Sequence, residues 1–215
     1  KAGKTAFAAK NYTDAIQNFK SATEKITTPA PAGVADIVWA NLGKAYDATR
    51  QYPEAAAAYK KAVEFKPTES NYYVNLSLAQ IGAGQIDESR ASIEKAAQLN
   101  PANAGMAYYN LAVTLINRNQ NTEAVEALKK AIELDPKYAN AHYQLGIVAI
   151  GQSQMAEAQA YFNKYLELAP TGEFADVAKQ LIDATKSAGT TTFSNPDASK
   201  SKTDTKGKQP AKTKN

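Results

Sequence analysis

An all-α solenoid, built from antiparallel helix pairs stacked along one axis, is the fold class that this sequence predicts. Three residue ladders point to it. Pro67, Pro101, Pro136 and Pro170 are separated by 34, 35 and 34 residues. Ala55, Ser89, Ala124 and Ala158 recur at the same spacings, and so do Gly43, Ser77, Ala112 and Gly146. Self-similarity at one fixed period means that a single supersecondary unit is repeated, each copy burying an apolar face against the next.

Each unit reads as two helices. Trp39, Leu42, Gly43 and Tyr46 fall at i, i+3, i+4 and i+7, as do Tyr108, Leu111, Ala112 and Leu115, so each set shares one helix face. Turn-tolerant residues follow: Gly82 to Gly84, Asn117 to Asn119, Gly151 to Ser153. A second amphipathic stretch comes next, as in Ala124, Leu128, Ala131 and Ile132, and the ladder proline then blocks its continuation. Glu54, Glu88, Glu123 and Glu157 open the second helix of four units. Negative charge there suits the helix dipole, and one carboxylate per unit cannot gather into a metal site.

The run Trp39-Ala-Asn-Leu42-Gly43-Lys-Ala-Tyr46 matches the pattern W-x2-L-G-x2-Y without a gap, and Ala55, Tyr59 and Pro67 match the later A-x3-F and P positions. On these residues the chain resembles the tetratricopeptide repeat (TPR) family, which implies a right-handed superhelix. Five repeats are expected: a partial one over 1–29, then 36–69, 70–103, 105–138 and 139–172. The partial repeat keeps Gly3, Tyr12, Ala15, Phe19 and Ala22 in register. Small residues at Gly43, Ala55 and Ala62 should let the helices of one repeat approach closely. Tyr46 and Tyr59 should fill the space between repeats. Gln80, His142 and Tyr165 depart from the family pattern, which should loosen individual contacts.

Residues 30–35 should lengthen the first inter-repeat connection. Residues 173–187 should form a capping helix, with Phe174, Val177, Ala178, Leu181 and Ile182 on one face, covering the apolar end of the stack. Residues 188–215 are rich in Ser, Thr and Lys, bury too little to offset ordering entropy, and are expected to be disordered. The chain starts in mid-repeat without methionine, which reads as a fragment of a longer protein.

Composition narrows the function. The chain carries a formal charge of +4, but six lysines and two aspartates in 188–215 account for all of it, so the repeats themselves are neutral. That argues against a specific nucleic-acid-binding face; the tail alone could make weak contact with an anionic surface. There is no cysteine, hence no disulfide or thiolate metal site. No apolar run approaches the ~20 residues that a spanning helix needs. His142 sits at a core-packing position, and no nucleophile–base pair or phosphate-binding loop is present, so neither an enzyme nor a cofactor is expected.

What the resemblance adds is a binding surface. In the family, the first helix of each repeat lines the concave groove. Its sixth position here is Asn41, Asn75, Asn110 and Gln144, and an amide there can donate to and accept from a peptide backbone. The adjoining groove positions are Val74, Leu78, Tyr109, Val113, Tyr143 and Ile147, with Asn71 and Asn140 at the rim. Exposed aromatics in the groove, Tyr109 and Tyr143, are the expected anchors. Some members clamp a C-terminal carboxylate with lysine, asparagine and arginine. The positions here include Ala40, Lys44, Asn75, Met106 and Asn110, short of two cations, so that mode is not expected. The reading is a scaffold that binds a protein or an extended peptide. A structural module of a larger exported protein and an accessory domain of an upstream enzyme are the alternatives. The repeats and the Thr- and Lys-rich end resemble bacterial TPR proteins, some with an extracytoplasmic domain upstream, which favours an extracytoplasmic location.

Overall fold

The computed structural model describes residues 1–26 and 33–190, the last four as backbone only. Residues 30–32 of the 30–35 connection, and residues 191–215 of the expected tail, lie outside the described residues. The described chain forms α1 (Ala2–Ala8), α2 (Tyr12–Glu24), α3 (Ala35–Ala48), α4 (Tyr52–Phe65), α5 (Ser70–Gly82), α6 (Ile86–Leu99), α7 (Pro101–Asn117), α8 (Asn121–Leu134), α9 (Ala139–Gly151), α10 (Met155–Leu168) and α11 (Ala175–Thr190). Among the described residues there is no strand. Helices pack as consecutive pairs, each pair on the next, and α11 closes on α10. The fold is the all-α solenoid.

One side-chain rule builds each pair. A Cβ added to Gly43 would meet the Tyr59 ring at 2.8 Å, one on Gly146 would meet the Phe162 ring at 2.6 Å, and one on Gly3 the Phe19 ring at 2.7 Å. The equivalent pairs elsewhere are Ser77 with Ile93 and Ala112 with Leu128, all four fully buried. A bare Cα faces an aromatic ring, and a small side chain faces an aliphatic one, so the summed volume stays near constant at native packing density. Tyr59 therefore packs first within its own repeat, on Gly43, and also borders Leu76 and Ala79 of the next.

The turns inside the pairs share a backbone that their residue types conceal. Lys10, Arg50, Gly84, Asn119 and Ser153 all have positive φ, between 58° and 79°. Around each, the next amide bonds back to the carbonyl five residues earlier, as in Gln51 N–H to Tyr46 O at 2.9 Å and Gln120 N–H to Leu115 O at 2.9 Å. These are Schellman closures, and their bonds offset the roughly 1 kcal/mol that a left-handed non-glycine residue costs.

Three local results refine the sequence reading. Pro101 does not separate two helices: it is the first residue of α7, capped by Asn100, whose Oδ1 accepts from the Ala102 amide at 3.2 Å. The extra residue in the 35-residue interval is absorbed there. Gln80 and Tyr165 do not loosen the stack. Gln80 Oε1 accepts from Ser92 Oγ at 2.7 Å, and the fully buried Tyr165 accepts the Phe174 amide on its hydroxyl at 2.9 Å, tying the cap to the last repeat. The cap α11 itself starts at Ala175 and runs on to Thr190, into the stretch expected to be disordered.

Curvature follows from which helices touch. α5 packs directly on α7, and α7 also reaches α9, whereas α4, α6, α8 and α10 make no comparable contact with one another. From α5 to α9 the first helix of each pair thus lies on the inner, tighter side, and the second helices splay outward.

Candidate inner-wall binding surface

Exposure along the inner helices marks one stripe at i, i+4, i+7 and i+11. In α3 it is Ile37, Asn41, Lys44 and Ala48; in α5 Asn71, Asn75, Leu78 and Gly82; in α7 Met106, Asn110, Val113 and Asn117; in α9 Asn140, Gln144, Ile147 and Gly151. Each of these is half-buried or exposed, while the residues on either side of them are largely buried. Asn75, Asn110 and Gln144 carry no side-chain hydrogen bond among the described residues, so donors and acceptors are open; Asn41 instead spends its Nδ2 on the Ile37 carbonyl at 2.7 Å. At the rim, Asn103 Nδ2 donates to Asn71 Oδ1 at 3.1 Å, linking α7 to α5.

Charge separates the two layers. α5, α7 and α9 contain no Asp, Glu, Lys or Arg at all, whereas every outer helix from α4 to α10 carries several or at least three. The outer charges are partly matched in exposed i, i+3 pairs such as Lys61–Glu64, Lys130–Glu133 and Lys164–Glu167. Two phenols near the inner layer are held neutral. Burial, then the neighbouring Asp36, pushes Tyr72 up to about 12, its hydroxyl donating to Asp36 Oδ2 at 3.1 Å across the α3–α5 boundary. Burial raises Tyr59 further, and its hydroxyl donates to Asp47 Oδ2 at 2.8 Å.

Not every expected groove residue lines this wall. Leu78, Tyr109, Val113 and Ile147 are half-buried and remain on it, with Tyr109 set edge-on to Tyr138 at 5.1 Å. Val74 and Tyr143 are corrections: they are buried, at 6% and 9% exposure. Both lie one residue before the amide position, as the half-buried Tyr109 does, and there the packing of the neighbouring elements decides whether the side chain is enclosed. Tyr143 stacks on Phe174 at 4.4 Å and contacts Phe162 and Tyr165, so it ties the cap to the last repeat. The sequence reading missed the half-buried Ile81, Ile116 and Ile150, which repeat beside the stripe at the ladder spacing.

The outer side has clefts where the second helices splay. One of about 400 Å³ lies between α6 and α8 over Tyr108 and Leu111, where Arg90 Nε is buried without a hydrogen-bond partner; another of about 350 Å³ lies over Trp39 and Tyr46. His142 is buried, as expected of a core position. Its proton affinity is lowered by burial; the Pro136 carbonyl opposes this, yet neither ring nitrogen makes a hydrogen bond of good geometry. Among the described residues no group of His, Cys, Asp and Glu could hold a metal ion, and no helix is long and apolar enough to cross a membrane.

Family models described as tetratricopeptide repeat match residues 37–69, 70–103 and 139–171, and one described as TPR repeat matches 114–151, together more than half of the chain. The chain belongs to the tetratricopeptide repeat family. Among curated TPR-containing relatives it is 30% identical over 101 residues to heat shock protein STI1 of Saccharomyces cerevisiae, covering 47% of this chain and 16% of that protein. It is 31% identical over 110 residues to the Hsp70-Hsp90 organizing protein of Triticum aestivum, covering 51% of this chain and 18% of that one. The chain thus spans less than a quarter of these relatives. Among solved TPR folds, MamA superposes with a TM-score of 0.67 at 24% identity, covering 79% of this chain and 95% of MamA. YrrB, described as a TPR protein with an unusual peptide-binding site, superposes with a TM-score of 0.60 at 19% identity, covering 83% and 88%. Membership of the TPR family supports a protein-interaction module; scaffolds built from this repeat are typically non-enzymatic.

Proposed function

We propose that the inner wall is a groove that binds an extended segment of a partner protein, and that the chain acts as a scaffold without chemistry of its own. The observation that carries this reading is the row of unsatisfied amides, Asn75, Asn110 and Gln144, on three successive inner helices devoid of charge. Such amides can hold peptide N–H and C=O groups without reading side chains. Leu78, Tyr109, Val113 and Ile147 supply apolar contact beside them. The solved relative YrrB carries a peptide-binding site by its description, and the curated relative from Triticum aestivum is by name an organizer of two other proteins, which agrees with this use of the fold. A carboxylate clamp is not part of the proposal, because α5, α7 and α9 offer no cation.

The test replaces Asn75 and Asn110 by alanine together. Two lost hydrogen bonds of ~0.5–1.5 kcal/mol each should weaken a partner captured by the wild-type chain roughly tenfold. Circular dichroism and the melting temperature should not move, since neither side chain supports the fold. Unchanged affinity would remove the inner wall as the binding surface.

A further inference from the structure

The spacing and chemistry of the inner wall define what kind of segment fits it, an inference that rests on the groove reading above. Two ladders run side by side across α5, α7 and α9. One is made of amides, Asn75, Asn110 and Gln144; the other is made of branched aliphatics, Leu78, Val113 and Ile147, each one helical turn from its amide. The aliphatic ladder stops at α3, where the equivalent residue is the exposed Lys44. Three rungs therefore exist, one per helix.

Directly packed helices lie ~8–10 Å apart; α5 packs on α7 in this way, while α7 touches α9 more lightly. A ligand crossing them meets its second rung at about that interval and its third no sooner. A fully extended strand advances ~3.3 Å per residue, so three residues span the interval, but its side chains alternate and residues three apart face opposite ways. A polyproline II segment advances ~3.1 Å per residue with three residues per turn. Residues i, i+3 and i+6 then share one face about 9 Å apart, in step with the aliphatic rungs. That conformation also leaves every backbone carbonyl and amide unpaired, which is what the open asparagine and glutamine side chains can satisfy. Charge decides the rest. With no Lys, Arg, Asp or Glu in α5, α7 or α9, a charged ligand side chain would give up hydration for no partner.

We propose that the inner wall recognises an uncharged polyproline II segment of at least about seven residues, with an aliphatic side chain at every third position, seated on the ladder Leu78–Val113–Ile147 with its backbone on Asn75, Asn110 and Gln144.

The probe is the capped, dye-labelled peptide Leu-Pro-Gln-Leu-Pro-Gln-Leu, titrated with the full chain by fluorescence anisotropy. Its isomer Leu-Gln-Leu-Pro-Leu-Gln-Pro has the same composition with period-two leucines, and a third peptide replaces both glutamines by glutamate. The expected result is binding of the first peptide about tenfold tighter than of either other, changing less than about twofold between about 50 and 500 mM salt. Val113→Glu should weaken it about tenfold at unchanged helicity. Asn110→Ala, a milder change, should weaken it severalfold and guards against misfolding of the first variant. Equal binding of the isomer, still sensitive to Val113→Glu, overturns the spacing and leaves the groove standing. Absence of binding by all three peptides below about 1 mM overturns the inference, while the natural partner's response to Asn75→Ala with Asn110→Ala still decides the groove. Binding that ignores both Val113→Glu and Asn110→Ala overturns the inference and the groove reading together.

Discussion

The neighbouring pairs α7–α8 and α9–α10 adopt the same architecture with different parts. In α7–α8 the joint is Ala112 with Leu128; in α9–α10 it is Gly146 with Phe162. Four residues before the joint residue of the inner helix, α7 has the half-buried Tyr108, whereas α9 has the buried His142. The difference teaches that the repeat conserves volume at a joint rather than residue identity. A methyl gained on one helix is matched by a ring exchanged for a branched chain on the other. It also teaches that two units of equal shape need not respond equally to truncation, to added bulk or to pH.

The largest expected contrast is truncation of the joint. Phe162→Ala removes a ring that is fully buried and also touches Tyr143, and should cost about 3–5 kcal/mol. Leu128→Ala should cost about 2–5 kcal/mol, with the pair differing by the larger cavity that Phe162 leaves. Urea unfolding of both variants measures this. Equal losses would mean that the bare Gly146 lets α9 and α10 collapse onto the cavity.

A finer contrast adds bulk to the small partner. In isolation, Gly146→Ala should gain about 1 kcal/mol from helix propensity. Here the new methyl would stand 2.6 Å from the Phe162 ring, which is enclosed and has nowhere to move, so overpacking of about 1–3 kcal/mol should prevail and the variant should be less stable. The sign should reverse in a Phe162→Leu background, which recreates the Ala112–Leu128 joint. Stabilisation by Gly146→Ala in the wild-type chain would break the volume rule.

These joints also explain what could be read in the sequence. The ladders Gly43–Ser77–Ala112–Gly146 and Ala55–Ser89–Ala124–Ala158 recur because close helix approach tolerates only small side chains, and that constraint leaves a visible trace. The turns leave none: Arg50, Gly84, Asn119 and Ser153 share one left-handed backbone but no chemistry, since hydrogen bonds rather than side chains close them. On the inner wall, the amide ladder was legible because position within a helix fixes direction. Tyr143 was not, because only the arrival of Phe174, the residue just before the capping helix and thirty-one residues on, decides that its ring is enclosed. Val74 fell to the same cause: a position one residue from the exposed stripe turns inward or outward according to how closely the next helix packs.

The smallest expected contrast is in pH response. His142 lies against the Tyr161 ring at 6.5 Å, feels Lys164 and Glu167 from α10, and has both nitrogens unpartnered. Burial, the largest influence, lowers its proton affinity below the ordinary 6.5, with Lys164 acting the same way and the Pro136 carbonyl and Glu167 opposing. The folded chain therefore prefers the neutral ring more than the unfolded chain does. The sign follows from linkage: this contribution is fully present above pH about 6.5 and is lost as pH falls through the lower folded value. Tyr108, at the same position of α7, has no charge change in this range, so α7–α8 should be indifferent. The melting temperature should drop between pH 7.5 and 5, and His142→Tyr, which copies the α7 residue, should flatten that drop. A wild-type chain that melts alike at both values would mean that His142 is solvated in both states, and that the two pairs differ in packing alone.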